Sequence, residues 1–318
     1  MPPFLRGTLL GLLLPFAVGM PLAAIGLQHV RDSPFVGTFA RMFESPGPQI
    51  LAASLIPIAL IAIVGARRIA AACLALALLC GGGLVVEQWR AGLPLVPTAS
   101  ADLRLVWLNA NFRNPLPPER IVDAIRASGA DLVMLAESKK VGPHLDSLSD
   151  LYPYRAGCIE TCEISVLSRY PIDNLVVRGP GNAWKERLFL FGLTVPGKAP
   201  VTIVALHMSK PWFYGIIDQE IDTVEEEVRK RPGPMVLAGD LNSAPWSLRL
   251  HWLRWLAGLR PPTRPVPTWP DEAGPLGIPI DHVLVRGGPR IVSIAPWGAD
   301  LGSDHRGLIA ELSLPPAS

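Results

Sequence analysis

Residues 234–246 read PMVLAGDLNSAPW. A short apolar strand, PMVLA, stops at Gly239, and Asp240 and Asn242 follow at once; Pro245 then opens a helix that runs to Leu259. Working outward, the same signature recurs. LRLVWL (103–108) is a strand that ends on Asn109, and DLVMLA (131–136) is one that ends on Glu137. Between them Pro117-Pro118-Glu119 starts a helix with Ile121 and Ile125 on one face, and Gly129 closes it. VTIVAL, around 202–206, ends on His207 and leads to a helix near 216–230, whose Ile217, Ile221, Val224 and Val228 share a face. Asp281 precedes HVLV, and Asp304-His305 precede GLIAEL. Strands and helices mixed in this order indicate an α/β sandwich.

The first ninety residues are different in kind. Thr8–Leu27, Ile50–Ala66 and Ile69–Val86 are three apolar runs, each long enough to cross a hydrocarbon core of roughly 30 Å. Mean hydropathy of the whole chain is +0.32, and only 18% of residues are charged. The expected organisation is a membrane anchor over 1–91 with spans near 8–27, 50–66 and 69–86. A linker over 92–101 (GLPLVPTASA) and a polar catalytic domain over 102–318 complete it. Buried core helices are the alternative for the apolar runs, and a cleavable signal is the alternative for the first.

Orientation is weakly signalled by charge. Arg6, Arg67 and Arg68 would lie inside, against Arg31, Arg41 and Arg90 outside, where Asp32 and Glu44 accompany them. Three spans, or two after cleavage, both leave the polar domain outside the cytoplasm. Cys158 and Cys162, in RAGCIETCEISV, are read as a disulfide, with free thiols or a zinc site as alternatives. Cys73 and Cys80 are read as apolar filler.

Of 29 basic and 27 acidic side chains, 23 and 24 lie beyond residue 100, so the polar part is nearly neutral. A protein that grips nucleic acid through its phosphates usually carries a basic excess. No GxxxxGK[ST] loop and no GxSxG elbow is present, which argues against a P-loop nucleotide site and an ordinary serine hydrolase. The strand-end set is instead rich in hard oxygen donors with imidazoles beside them. Mg²⁺ prefers such oxygens, and an imidazole next to a carboxylate handles protons near neutral pH.

The succession WLNAN, LAES, VLSRYPI, ALHMS, LAGDLNSAPWS, PIDHVLV and GSDHRGL resembles the endonuclease/exonuclease/phosphatase, or deoxyribonuclease-I-like, superfamily over roughly 102–314. The resemblance implies a four-layer α/β sandwich of two mixed sheets flanked by helices. It implies Mg²⁺, or Mn²⁺ in its place, held by Glu137, Asn109 and Asp304. Asp240 would position or deprotonate the attacking water, and Asn242 would lie beside the scissile phosphate. Asp281 would orient His305 at the phosphate, with His207 as a second phosphate-facing histidine. Asn111 stands where some abasic-site enzymes carry an aspartate, and Arg306-Gly307 replaces an aromatic-proline pair after the last histidine.

The expected function is hydrolysis of a phosphodiester in nucleic acid, a phospholipid headgroup or a small diester. The expected setting is a bacterial inner membrane with the catalytic domain on the periplasmic side. A catalytically inactive, membrane-tethered binding or scaffold module is the competing reading. Trp212-Phe213-Tyr214, behind His207, reads first as core packing, with base stacking or the membrane interface as alternatives. Trp252 and Trp255, three apart on a helix, also read as core.

Overall fold

A computed structural model describes residues 2–31 and 33–317; Asp32, counted above among the N-terminal acids, lies outside the described residues. The chain divides into two compact units, Met1–Arg90 with Trp246–Leu248, and Ala91–Pro245 with Arg249–Ser318.

The first unit holds α1 (Pro3–Gly26), α2 (Val36–Glu44), α3 (Gly47–Ala53), α4 (Leu55–Ile63) and most of α5 (Arg67–Ala91). Among the described residues, α1 and α5 are each long and apolar enough to cross a membrane. A third span exists only if α2 and the Gly47–Ile63 segment, bent by 81°, are taken as one. That bend falls at Ser45-Pro46, ahead of the run expected over 50–66; within the run the helix is interrupted at Ser54. Ser54 turns its hydroxyl back onto the Leu51 carbonyl at 2.6 Å, and Pro57 removes a backbone donor one turn into α4.

Packing in this unit inverts that of a soluble protein. Ala17, Ala24, Ala70, Cys73, Ala77 and Cys80 are buried, whereas Leu12, Phe16, Ile63, Leu78, Leu79 and Val85 face outward. Small residues between helices with large apolar ones outside suit a lipid surround, where close approach drives association.

The second unit is a sandwich. One sheet has six strands: β1 (Leu103–Asn109), β2 (Leu132–Ala136), β3 (Tyr154–Gly157), β4 (Ile164–Ser168), β10 (Arg290–Trp297) and β11 (Gly307–Ser313), in the order β10-β11-β1-β2-β4-β3. The other has five: β5 (Ile172–Arg178), β6 (Leu188–Leu193), β7 (Val201–His207), β8 (Met235–Asp240) and β9 (Asp281–Arg286), in sequential order. Alternate residues of facing strands fill the space between, among them Leu105, Trp107, Met134, Val166, Phe191, Ile203, Val236 and Val283. Helix α6 (Glu119–Ser128) covers the outer face of the first sheet. Helices α7 (Ile216–Arg229) and α8 (Leu248–Ala257) lie against the second. The result is the expected four-layer α/β sandwich.

Strand direction fixes where polar groups can gather. β1 runs parallel to β2, and β7 to β8. β11 is antiparallel to β1, and β9 to β8, with Asp281 opposite Asp240. The carboxyl ends of β1, β2, β7 and β8 and the amino ends of β9 and β11 therefore open on one rim of the sandwich.

Gly239 lies between this rim and the core. A methyl group there would collide with the Leu206 carbonyl of β7. Gly239→Ala is expected to destabilise the protein by about 1–3 kcal/mol, the usual cost of overpacking. Denaturant titration of the detergent-solubilised chain, followed by tryptophan fluorescence, measures this as a lowered midpoint.

Candidate active site

All eight polar residues read from the strand ends belong to the rim or its loops. Asn109 closes β1, and its side chain divides its hydrogen bonds between the sheets. Its Nδ2 donates to Glu137 Oε1 at 3.3 Å and to Asp240 Oδ2, across the sandwich, at 3.0 Å. Its Oδ1 accepts from the Asn111 amide at 3.0 Å. Glu137, just past β2, adopts a left-handed φ of 50°. Its Oε2 accepts the Phe112 amide at 3.1 Å. Asn111 (φ 54°) extends the chain of contacts, donating from Nδ2 to Asp304 Oδ1 at 2.8 Å. Trp269 donates to the other Asp304 oxygen at 3.2 Å. Glu137, Asn109 and Asp304 thus sit in one hydrogen-bonded network of oxygen donors. Their chemistry fits a hard divalent ion.

The second cluster is drier. Asp281 is buried, with Oδ1 accepting from Trp107 Nε1 at 2.9 Å and Oδ2 against His305 Nδ1 at 2.8 Å. His305 Nε2 then lies 3.8 Å from Asp240 Oδ2. Burial opposes charge on all three, but charge pairing decides the outcome for two of them. Burial alone would raise Asp281; the His305 charge and hydrogen bond, with those of Trp107 and Thr268, outweigh it and hold its carboxyl below the usual range. Burial would lower His305, yet Asp281 and Asp240 push it up to about 10. Asp240 goes the other way: burial, then repulsion from Asp281, raises its carboxyl. At neutral pH the geometry therefore holds an imidazolium on an aspartate, beside a second aspartate of enhanced basicity.

Asp240, Asp281 and His305 also place ligand atoms within 4.8 Å of one another. Both Asp281 oxygens and His305 Nδ1 are already spent on hydrogen bonds. The oxygens of Glu137, Asn109 and Asp304 are engaged by hydrogen bonds as well, so both groups of residues carry the donor chemistry of a divalent-ion site.

His207 closes β7 with Nε2 at 3.7 Å from Asp240 Oδ2 and 3.9 Å from Glu137 Oε1. Its Nδ1 is held at 2.7 Å by Glu163 Oε1, on which Arg187 Nε also closes at 3.0 Å. Burial would raise the Glu163 carboxyl, but the His207 and Arg187 partners keep it below its ordinary range. Glu163 and Arg187 were absent from the set read in the sequence. They carry its signal all the same, each being the polar residue next to an apolar strand, β4 and β6. Asn242, with φ 47°, returns its amide to Asp240 Oδ1 at 2.9 Å and donates from Nδ2 to the Met208 carbonyl at 2.9 Å. His282, next to Asp281, points to the opposite face and meets the Ser243 carbonyl at 2.8 Å.

Cys158 and Cys162 are joined as a disulfide, and Cys73 and Cys80 are free and buried. The short loop closed by the disulfide folds around Glu186. That carboxylate accepts the amides of Glu160, Thr161 and Cys162 at 2.7, 2.8 and 3.1 Å.

Two sequence readings are corrected in the same unit. The buried face of α8 is made by Leu250, Leu253 and Ala257. Trp252 and Trp255 fall on its other side and are exposed, and so are Trp212, Phe213 and Tyr214. For α8 the apolar face is complete without the two tryptophans, and Trp212-Phe213-Tyr214 lies in the turn before α7 rather than in a core element.

The sequence profile of the Endonuclease/Exonuclease/phosphatase family matches residues 106–305, and no curated protein matches the chain. Several solved structures resemble it. One, an endonuclease/exonuclease/phosphatase from Beutenbergia cavernae DSM 12333, is 23% identical with a TM-score of 0.53, covering 68% of this chain and 72% of that one. TDP2 of D. rerio, complexed with a single-strand DNA product, is 15% identical with a TM-score of 0.56, covering 66% and 98%. A mutant beta toxin from Staphylococcus aureus with bound magnesium ions is 16% identical with a TM-score of 0.51, covering 66% and 99%. At these identities the likeness is one of fold.

His282 gives a prediction independent of any ligand. Burial lowers it to about 4 from an ordinary 6.5, so the unfolded chain takes up a proton that the folded chain refuses. The stability is present above pH 6.5 and is lost as pH falls towards 4, by about 3 kcal/mol at most. His282→Gln is expected to flatten that part of the profile, measured by denaturant midpoints between pH 7 and 4.

Proposed function

The chain belongs to the endonuclease/exonuclease/phosphatase family, and on that premise we propose that it is a membrane-anchored hydrolase that cleaves a phosphodiester by attack of water. The observation that carries this reading is the juxtaposition on one rim of His305, held on Asp281 and pushed up to about 10, and Asp240, whose carboxyl burial and Asp281 raise, with His305 Nε2 3.8 Å from Asp240 Oδ2. A proton-carrying imidazole beside a carboxylate made more basic is a pairing that can supply both an acid and a base.

In this scheme Asp240 orients the attacking water and takes its proton. Asn109 and the Asn242 amide pin the carboxylate from two sides. His305 meets the phosphate with Nε2, because Nδ1 is committed to Asp281. It offers positive charge to the phosphoryl oxygens and a proton to the leaving group. His207 presents Nε2 in the same way, with Glu163 fixing its other nitrogen. Asn242 lies beside the phosphate. Glu137, Asn109 and Asp304 would hold Mg²⁺ or Mn²⁺, which when bound supplies Lewis-acid neutralisation of phosphoryl charge.

The substrate favoured is a lipid or small phosphodiester. The near-neutral polar region offers little of the basic surface on which nucleic-acid binding depends. The catalytic unit is placed on the extracytoplasmic side of a bacterial inner membrane. Charge at the two ends of the helical unit supports this. Arg6 donates to the Gly65 carbonyl at 2.9 Å, bringing it to the same end as the Arg67-Arg68 turn. Arg41, at the other end, is buried and paired with Glu44 at 2.7 Å, so it contributes little to the count of free positive charge.

The test is the full-length protein in detergent with bis(p-nitrophenyl) phosphate, sphingomyelin, phosphoinositides, DNA and RNA, with Mg²⁺ or a chelator. Asp240→Asn and His305→Gln are each expected to lower kcat by about 10²–10⁴-fold with the fold intact by circular dichroism. Chelation should abolish turnover and Mg²⁺ restore it. Undiminished turnover in Asp240→Asn would remove the assignment. Glu163→Gln, which leaves the His207 contact but not its charge, should cost less than either.

A further inference from the structure

We propose that the exposed aromatic face formed by Trp212, Tyr214, Trp252 and Trp255 beds in the headgroup layer of the bilayer that the N-terminal helices cross. It rests on the membrane reading above and adds to it a seat for the catalytic unit itself.

Helix α5 has 25 residues, about 37 Å at 1.5 Å each, against a hydrocarbon core of roughly 30 Å. Its end therefore emerges among headgroups. From there the chain does not swing free. Arg260 donates to the Ala91 carbonyl at 3.1 Å and to the Gly92 carbonyl at 2.8 Å. Leu93 pairs with the next residues: its amide donates to Pro261 O at 2.8 Å, and its carbonyl accepts from the Thr263 amide at 3.0 Å. Gly92 lies so close to Pro262 and Thr263 that a side chain there would collide with their backbone. Residues 260–263 are thus held at the point where the chain leaves the membrane.

Helix α8 ends at Ala257, three residues earlier, so its end lies within about 10 Å of Arg260. Its outward face carries Trp252, 43% exposed, and Trp255, 72% exposed, in an edge-to-face pair with centroids 5.9 Å apart. At the start of the same helix, Arg249 donates to the carbonyls of Ser209 and Pro211 at 3.3 and 2.9 Å. That fixes the following Trp212-Phe213-Tyr214 run beside α8. Lys210 lies 5.6 Å over the Trp212 ring. Tryptophan and tyrosine with a neighbouring cation are what the headgroup layer favours: the rings are amphipathic, and lipid phosphates attract the cation. The run is also the segment that leaves β7 just after His207, so the seat adjoins the site.

The test uses full-length protein with Cys73 and Cys80 replaced by alanine, carrying one NBD-labelled cysteine at a time. Labels replace Trp252, Trp255 or, as a control inside the span, Leu79. Each variant is reconstituted in phosphatidylethanolamine–phosphatidylglycerol vesicles with or without doxyl-labelled lipid. Loss of NBD emission with doxyl lipid is expected at all three positions, with Trp255 more affected by a headgroup-proximal doxyl and Leu79 by a deep one. Quenching at Leu79 without any at Trp252 or Trp255 overturns the seat and leaves the anchor standing. No quenching at Leu79 overturns the anchor and the seat together. Labels at Trp252 and Trp255 that ignore doxyl lipid but are shielded by single-stranded DNA would give the face to nucleic acid instead.

Discussion

The hydrogen bond from Trp107 to Asp281 ties the two sheets together at the point where the chemistry lies. Trp107 belongs to β1 of one sheet and Asp281 to β9 of the other, and both are fully buried. A carboxylate in that position is costly to desolvate unless its lone pairs are filled. The indole fills one oxygen, and His305 fills the other with a charge as well as a donor. Everything else in the site follows from this arrangement. His305 must stay protonated, its remaining nitrogen must face the rim, and Asp240, opposite Asp281 in the ladder, must take up the strain of a second buried negative charge.

The same logic repeats at lower intensity around His207. There Glu163 fixes one ring nitrogen and Arg187 fixes Glu163. Two imidazoles, each steered by a carboxylate, converge with Nε2 within 4 Å of the same Asp240 oxygen. Left-handed backbone at Asn111, Glu137 and Asn242 is the conformational cost of turning these side chains inward so close to strand ends, and each is secured by hydrogen bonds.

Much of this was legible in the sequence, because a polar residue at the end of an apolar strand has few other places to go. Asn109, Glu137, His207, Asp240 and Asp281 were all found on that rule, and strand directions then brought them together. Glu163 and Arg187 flank apolar strands, β4 and β6, just as Asp281 begins β9, but they lie among cysteines and other charged residues that mask the pattern. Trp107 could not be read as a donor, since an indole inside LRLVWL looks like any other core residue. Apolar periodicity does not mark the interruption at Ser54 either, which comes from the Ser54 hydroxyl on its own helix and Pro57 just beyond it. Residue type alone points Trp252 and Trp255 to the core, whereas helical phase puts them opposite Leu250, Leu253 and Ala257.

The proposed chemistry is attack of water on phosphorus at this rim. Its most direct test is hydrolysis of bis(p-nitrophenyl) phosphate by the full-length protein in H₂¹⁸O with Mg²⁺, the phosphate product being examined by mass spectrometry. One ¹⁸O per turnover in the nitrophenyl phosphate, and none in the nitrophenol, is the predicted result. Label in the nitrophenol, or no turnover with any divalent ion, would contradict it.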